Sequence, residues 1–437
     1  STVEAVQRNV SAYYDNLTRS DATDYYGQST LYTNLNQIQG IFNEPSSNSL
    51  QSSMDQFFSA FQTLSTNPQS NSARQTVISQ AGNMVDSFNQ LTNQLQTMSG
   101  DLQGVVSGQL QEVNGYAEQI SALNQQIAGV LATGQQPNQL MDQRGELLDK
   151  LAKLGNVQTT ENTNGSYNVT FGSQQIVAYS STSGYSYATF SEGSGVSYSG
   201  DLQNGTSSLA GLTVTTTSAT GTAPSQPESV SLNLTQGEMT GNILGMTQAN
   251  GFISTLGNLA NALGNGVNNL LEQGYSLNSN VSGSSNGAQL LFLVSNGNLS
   301  VNPNVTPSDI QAATTSNAPG NGQNALAVAQ LQQSTTLTYN VYSSSGSATS
   351  TLPLGATPDG YYTGLVSGLG AATKQAENQQ NTNQALYSQA QTLQQSVSGV
   401  NLNNSTADIT EWQNVYDAAS RFLQIQDEMI QTMIQEV

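Results

Sequence analysis

Between Val77 and Leu131 an apolar residue returns every three or four positions almost without a break. Val77, Ala81, Met84, Phe88, Leu91, Leu95, Met98, Leu102 and Val105 fall in heptad steps. At Val106 the register slips by one and runs on through Leu110, Val113, Ala117, Ile120, Asn124, Ile127 and Leu131. A single stripe of this length predicts a rod rather than a helix of a globular core. Asn67-Pro68 precedes it, and Ser72 with Gln75 has the spacing of a capping box. Gly134 and Pro137 end it. A partner helix follows, with Leu140, Leu147, Leu151 and Leu154 on one side. Arg144 shares that face, where the spacing predicts a structural pairing with an acid or a helix-end carbonyl.

The rest of the chain divides by period. Val3, Val6, Val10, Tyr13 and Leu17 step as a helix, a polar stretch with Tyr25 and Tyr26 follows, and Leu31, Leu35 and Ile38 resume before Asn43-Glu44-Pro45. Leu50, Met54, Phe57, Phe61 and Leu64 make a second stripe, and Phe57, Phe58 and Phe61 read as core. Lys153 and Lys374 then bracket a long Gly-, Ser- and Asn-rich stretch with no Lys or Arg. From Gly155 the period becomes two. Thr163-Asn164-Gly165-Ser166 is a hairpin signal with the Asn-Gly of a type I′ turn. Tyr167, Val169 and Phe171 alternate after it, as do Leu212, Val214 and Thr216, and Val230, Leu232 and Leu234. Helix returns near Gly237 with Ile253, Leu256, Leu259, Leu263, Val267 and Leu270. Leu290, Phe292 and Val294, a turn at Asn296-Gly297, then Leu299 and Val301 form another β stretch, and residues 335–357 one more hairpin. Leu365, Leu369, Ala372, Ala376, Gln379, Asn383, Leu386, Ala390, Leu393 and Val397 give the next helix. A last one carries Ile409, Trp412, Tyr416, Ala419, Leu423, Gln426, Ile430, Met433 and Val437, and Val415, Phe422 and Met429 widen its apolar face so that it needs more than one neighbour.

The fold class expected is therefore α+β, elongated and multi-domain: a discontinuous long-helix rod or bundle with an inserted β-rich domain. The boundaries expected are 1–66 for an N-terminal connector, 67–155, 237–280 and 359–400 for the rod, 156–236 for the β-rich insert, 281–358 for hairpins and loops, and 401–437 for a C-terminal assembly helix.

Composition narrows the chemistry. Neither His nor Cys occurs among the 437 residues, which excludes a histidine base, a disulfide frame and the usual zinc sets. Gly283-Ser284-Ser285-Asn286-Gly287 fits G-x-S-x-G but has no histidine to serve it. Asp408 and Glu411 sit at a helix start, where carboxylates simply favour the dipole. Asp201 with Asn204-Gly205 hints at calcium but reads better as a turn. The sequons at Asn168, Asn233 and Asn298 follow from composition. No catalytic residue, cofactor or metal ligand is expected. A formal charge of −20, from 8 Lys+Arg against 28 Asp+Glu, argues against nucleic acid and anionic membrane as partners. No run of eighteen apolar residues exists to enter a membrane. Only 8% of residues are charged, so the amide- and hydroxyl-rich surface buries against copies of itself with little charge to desolvate. Such a surface suits a secreted polymer subunit.

Several segments, taken in order, resemble the flagellar hook-associated protein 1 family, the FlgK-type hook–filament junction proteins. Ile41-Phe42-Asn43-Glu44-Pro45 with Ser49-Leu50, Met54 and Phe57-Phe58 is similar to the family's entry to its rod. Asn67-Pro68 with Ala73-Arg74 and Val77 matches the next helix start. Pro137-Asn138-Gln139-Leu140-Met141-Asp142-Gln143-Arg144 with Leu147-Leu148 is the most specific piece. Gly237-Glu238, Asn258-Leu259-Ala260, Val267-Asn268, Gly274, Phe292 and Asn324-Ala325-Leu326-Ala327 continue the resemblance, and Ser396-Val397-Ser398-Gly399-Val400-Asn401-Leu402 leads into the last helix. Two departures stand out. The family's N-terminal helix is not present ahead of Ser1, so the chain reads as trimmed there, and Asn403-Asn404-Ser405 replaces the usual Asp-Glu-Glu.

The resemblance implies a structural adaptor, not an enzyme, that leaves the bacterial cell through the flagellar type III export channel. It implies a ring of like subunits as partner, together with the hook protein, hook-associated protein 3 and an export chaperone. It places the chain ends in an inner helical tube, the rod against its neighbours and the β insert outward. Residues Ile409, Trp412, Tyr416, Phe422, Leu423, Ile430 and Met433 are the expected subunit-assembly face. With no N-terminal mate, the helix from Asp408 to Val437 is expected to be mobile or docked elsewhere. A different reading, a secreted adhesin or glycan-binding protein, would use Tyr179, Tyr185 and Tyr187 of the insert. A glycoside hydrolase would need two carboxylates facing one cleft, and no spacing suggests them.

Overall fold

The computed structural model describes residues 11–44, 46, 49–218, 225–277, 289–295, 298–342, 348–398, 410–421 and 424. The long stripe is one helix. α3 runs Asn71–Leu131, 61 residues, about 92 Å at 1.5 Å per residue. Its cap is Ser70, whose side chain accepts from Ala73 N, so the Ser72–Gln75 spacing is not the one used. The seam passes directly from Leu102 to Val106: Val106 is buried and Val105 is 47% exposed. That step of four is a stutter, which keeps the apolar face on one side of the helix.

The other helices are α1 (Ala12–Phe42), α2 (Leu50–Thr66), α4 (Asn138–Leu154), α5 (Glu238–Gln273), α6 (Gln323–Gln330) and α7 (Pro358–Ser398). Two units divide the chain. One is Ala22–Gln384, and the other joins Ser1–Asp21 with Ala385–Val437.

Within the larger unit, α3 packs against α2, α4 and α5. Phe57 stacks edge-on with Phe58 and Phe61 and also meets Phe292, and all four are buried. The polar stretch read after Leu17 does not interrupt α1. Its inward positions are Ala22, Thr23 and Gly27, too small to register as an apolar stripe. They are small because the backbones come close. A Cβ on Gly241 of α5 would lie 2.6 Å from Gly27 O, and one on Gly245 would lie 2.7 Å from Asn34 Cβ.

The β insert is a six-stranded antiparallel meander in sequence order: β1 (Val157–Glu161), β2 (Tyr167–Phe171), β3 (Gln174–Ser180), β4 (Gly184–Asp201), β5 (Thr206–Ser218) and β6 (Glu228–Leu234). Its buried face comprises Val169, Phe171, Ile176, Val177, Phe190, Leu209, Leu212, Leu232 and Leu234, which join the core of the helices. The register shifts at Val169/Thr170, Glu192/Ser197 and Leu209/Leu212, and such bulges bend and twist strands. The sheet curls so that the β2–β3 turn reaches β6. Ser173 Oγ and Gln174 Nε2 donate to Ser231 O of β6, and Asn233 N donates to Ser173 Oγ. Asn156 closes the base, its backbone oxygen accepting from Gly172 N and its side chain from Thr235 N.

The β1–β2 turn is not type I′. Only Gly165 has positive φ, +77°; Gly165 N bonds Asn162 O and Asn162 N bonds Ser166 O, the arrangement of a type I turn closed by a left-handed glycine. The insert enters at Gly155 and leaves at Gly237. These two backbones touch: a Cβ on Gly237, φ +103°, would collide with Leu154 O and the Gly155 backbone.

Two hairpins seat on α5 beyond the insert. β7 (Phe292–Ser295) pairs with β8 (Asn298–Val301), and β9 (Thr338–Tyr342) with β10 (Ala348–Pro353). Leu299 and Val294 lie over Gly264, and Leu337 lies over Gly266; larger residues at either glycine would lift a hairpin off the helix.

Candidate assembly surfaces

Among the described residues no cluster of three or more Asp or Glu is placed to hold a metal. Asp201 is used by its own turn. Its carboxylate accepts from Gln203 N, Asn204 N and Asn204 Nδ2, and these bonds, led by the Asn204 side chain, hold it below the usual carboxylate range. Residues 283–287 of the G-x-S-x-G match, and Asp408, lie outside the described residues. Tyr179 and Tyr185 pack ring to ring at 4.9 Å, and Asn164 Nδ2 donates to the Tyr185 hydroxyl.

The two buried arginines are structural. Arg74 is 2% exposed and donates to three backbone carbonyls: Pro68 at 2.8 Å, Pro307 at 3.2 Å and Ile310 at 2.5 Å. It thereby ties the α2–α3 corner to the 3-10 turn at Pro307–Asp309, and burial lowers its pKa. Arg144 donates to Asn124 Oδ1 and to Gly165 O, and its guanidinium lies 3.6 Å from the centre of the Tyr167 ring. The carbonyl it meets is that of a β turn, not of a helix end.

Helix and sheet are joined by amides and one carboxylate. Asn114 and Asn124 of α3 bond the backbones of Phe190 and Tyr167. Glu192 accepts from Ser107 Oγ at 2.7 Å and from Tyr198 Oη at 2.6 Å. Burial first, then Glu192, pushes the Tyr198 phenol up to about 12.

Some apolar side chains stay exposed. Nine large ones occur among the described residues: Tyr13, Val105, Leu293, Leu352, Leu386, Leu393, Trp412, Val415 and Tyr416. Six of these, all but Val105, Leu293 and Leu352, belong to the smaller unit. There Gln394 of α7 donates to Asp15 of α1, and Leu386 and Leu393 stand exposed on the α7 seam that the sequence shows as continuous. Residues 410–421 are helical, and Trp412, Val415 and Tyr416 share one face by their i, i+3, i+4 spacing, with Trp412 72% and Tyr416 74% exposed. Of the expected assembly face, Trp412 and Tyr416 are thus brought together on an open surface. Ile409, Phe422, Leu423, Ile430 and Met433 lie outside the described residues.

Sequence reading missed a groove of about 690 Å³ between the end of α1 and α3. Its lining combines the amides of Gln37, Asn43, Gln90 and Asn93 with Ile41 and Met98. Amides and an open glycine, Gly40, leave no periodic signal.

Comparison with known proteins is consistent across the molecule. A family model described as the flagellar hook-associated protein FlgK helical domain matches residues 35–285. Flagellar hook-associated protein 1 of Salmonella typhimurium is 31% identical over 182 residues, which are 41% of this chain and 33% of that protein. The match thus spans about a third of the length of that relative. The protein of the same description in Bacillus subtilis is 25% identical over 458 residues, covering 98% of this chain and 82% of its own. The structure of the flagellar hook junction protein FlgK from Burkholderia pseudomallei aligns with a TM-score of 0.66 at 18% identity, over 88% of this chain and 100% of that one. This alignment supports the α+β architecture of long helices with a β insert.

Proposed function

The chain belongs to the family of the flagellar hook-associated protein FlgK helical domain, and from that premise we propose that it is a structural adaptor joining the hook of a bacterial flagellum to its filament. Its work is mechanical. Apolar helix faces are buried between subunits, and a rod surface of few charges allows close stacking. The partners proposed are further copies of the same chain in a ring, the hook protein, hook-associated protein 3 on the filament side and an export chaperone before secretion. The place of action is extracellular, on the flagellum. No helix among the described residues is long and apolar enough to cross a membrane.

One observation carries this reading: the exposed apolar side chains are concentrated on helices of the unit that contains both ends of the chain. Trp412 and Tyr416 are assigned to the assembly face, with Ile409, Phe422, Leu423, Ile430 and Met433 as its continuation along the sequence. No bonded or buried feature of the Tyr179–Tyr185 pair favours a glycan-binding role.

The test is attachment. Hook–basal bodies stripped of their distal proteins, incubated with the purified chain and viewed by electron microscopy, should carry new density at the free end of the hook. A Trp412→Ala, Tyr416→Ala double variant should leave far fewer hooks decorated. Bare hooks at every concentration of the unaltered chain would end the proposal.

A further inference from the structure

We infer that the first turn of α7 is held against α2 by a proton-operated latch made of Asp55, Gln332 and Asp359, which tightens on acidification. This inference does not depend on the junction role. Gln332 Nε2 donates to Asp55 Oδ1 at 2.7 Å and to Asp359 Oδ2 at 3.0 Å. One amide nitrogen with two hydrogens is thus shared between two carboxylates from two helices. The second oxygen of Asp359, Oδ1, is fully buried with no hydrogen-bond partner. A buried carboxylate oxygen without a donor is costly in its charged form.

Among the described residues, none beside Asp359 supplies a positive charge. Asp55 is the only charge on α2, and α6, the turn Leu331–Gln333, β9 and β10 carry none. α1 has no charge after Asp24. On α5 the only charges are Glu238 and Glu272, far along the chain from Asn258, the α5 residue that bonds Tyr361. Lys374 of α7 lies about four turns beyond Asp359 and is engaged by Glu377. The other titratable groups at this end of α7 are acids: Tyr361 with Tyr339 beside it, and Tyr362, whose hydroxyl donates to Glu44 Oε1.

The α7 N-terminus favours a charged Asp359 through the helix dipole. Burial opposes it and prevails, with Asp55 adding to it, so Asp359 is held above the usual carboxylate range despite the Gln332 bond. The folded chain therefore binds this proton more tightly than the unfolded chain. In the window between the two pKa values the folded state carries the extra proton, so its stability grows as pH falls and declines as pH rises. Protonation removes the charge on the buried oxygen and the repulsion from Asp55 together.

The experiment is amide hydrogen exchange on the whole chain, corrected for the intrinsic pH dependence of exchange. Protection at the first turn of α7 should rise several-fold as the pH is lowered from about 7 to the ordinary aspartate value of about 3.9. Asp359→Asn should show the high protection at both pH values, and Asp55→Asn should show a smaller pH effect than the unaltered chain. General relief of the −20 charge would persist in Asp359→Asn, so the difference between the chains isolates the latch. A flat profile in the unaltered chain, or an unchanged slope in Asp359→Asn, overturns the inference. If Asp359→Asn does not fold, carboxyl 13C titration of the unaltered chain decides: an Asp359 midpoint above the ordinary aspartate value of about 3.9 supports the latch, and one at or below it refutes it.

Discussion

The carboxamide of Asn124 binds both backbone groups of Tyr167, donating through Nδ2 to its carbonyl at 2.7 Å and accepting from its N–H at 3.0 Å. The same two-way pairing joins Asn114 to Phe190 at 2.7 and 2.7 Å, and Asn268 to Phe292 at 2.8 and 3.1 Å. A carboxamide carries one donor face and one acceptor face, as a peptide group does. Placed on a helix, it acts as one residue of an extra strand and docks a sheet without any charge. A chain so poor in charged residues thereby fastens strands to its rod.

Removing such a side chain strands two backbone groups at once, half-buried at Asn124 and Asn114. Asn124→Ala should cost about 2–4 kcal/mol, since each unsatisfied buried group costs about 1–3 kcal/mol and Arg144 also loses a partner. Asn114→Ala should cost less, because its contact touches no arginine. Urea denaturation with unchanged slope would show the loss as a shifted midpoint; equal midpoints for all three chains would refute the clamp.

Glycines on two helices should respond in opposite directions to alanine. Gly241 faces Gly27 O at the α1–α5 crossing, so Gly241→Ala should destabilise by about 1–3 kcal/mol through overpacking, in spite of better helix propensity. Gly104 on α3 has open space where a Cβ would stand, and Gly104→Ala should stabilise the isolated chain by roughly 0.5–1 kcal/mol. Melting temperatures that move the same way for both variants would contradict the packing described.

Tyr198 gives an alkaline signature. Its phenol, pushed up to about 12 by burial and by Glu192, keeps its proton after an unfolded tyrosine has lost its own near about pH 10. The stabilisation it provides is complete below the unfolded value and vanishes as pH climbs through the folded one. Phenolate absorbance should lose one of its late-titrating components in Tyr198→Phe, and that component should move earlier in Glu192→Gln. An unchanged titration curve in Tyr198→Phe would disprove the assignment.

Trp412 is the only tryptophan of the chain and stands exposed. Its emission in dilute solution should match that of a solvated indole and shift to the blue when hooks are added. Trp412→Ala should leave stability within about 0.5 kcal/mol, as for other exposed positions, while attachment weakens. A blue-shifted emission in the free chain would mean that the residue is covered before any partner arrives.

What could be read from sequence was whatever carries a large apolar side chain on a regular period. α3 was legible for that reason, as were the ends of α2 at Ser49-Leu50 and Asn67-Pro68, and the strand pairs around Val169 and Leu232. Asn124 was visible as a polar residue in the seam, but only the strand beside it explains why an amide belongs there. The middle of α1 was hidden because Thr23 and Gly27 pack by being small. β4 was hidden because Glu192 to Ser197 alternates weakly through a bulge rich in Gly and Ser. The latch of Asp55, Gln332 and Asp359 joins residues about three hundred positions apart in sequence, so no local pattern holds it.

The contact between Gly155 and Gly237 sets how freely the β insert can vary. Both ends of the six-stranded sheet pass through one narrow doorway, so the two flanking helices are spaced by that doorway and not by what lies beyond it. Strands added or lost past those glycines leave α4 and α5 at the same separation. The insert can therefore change in length without moving the helices that flank it.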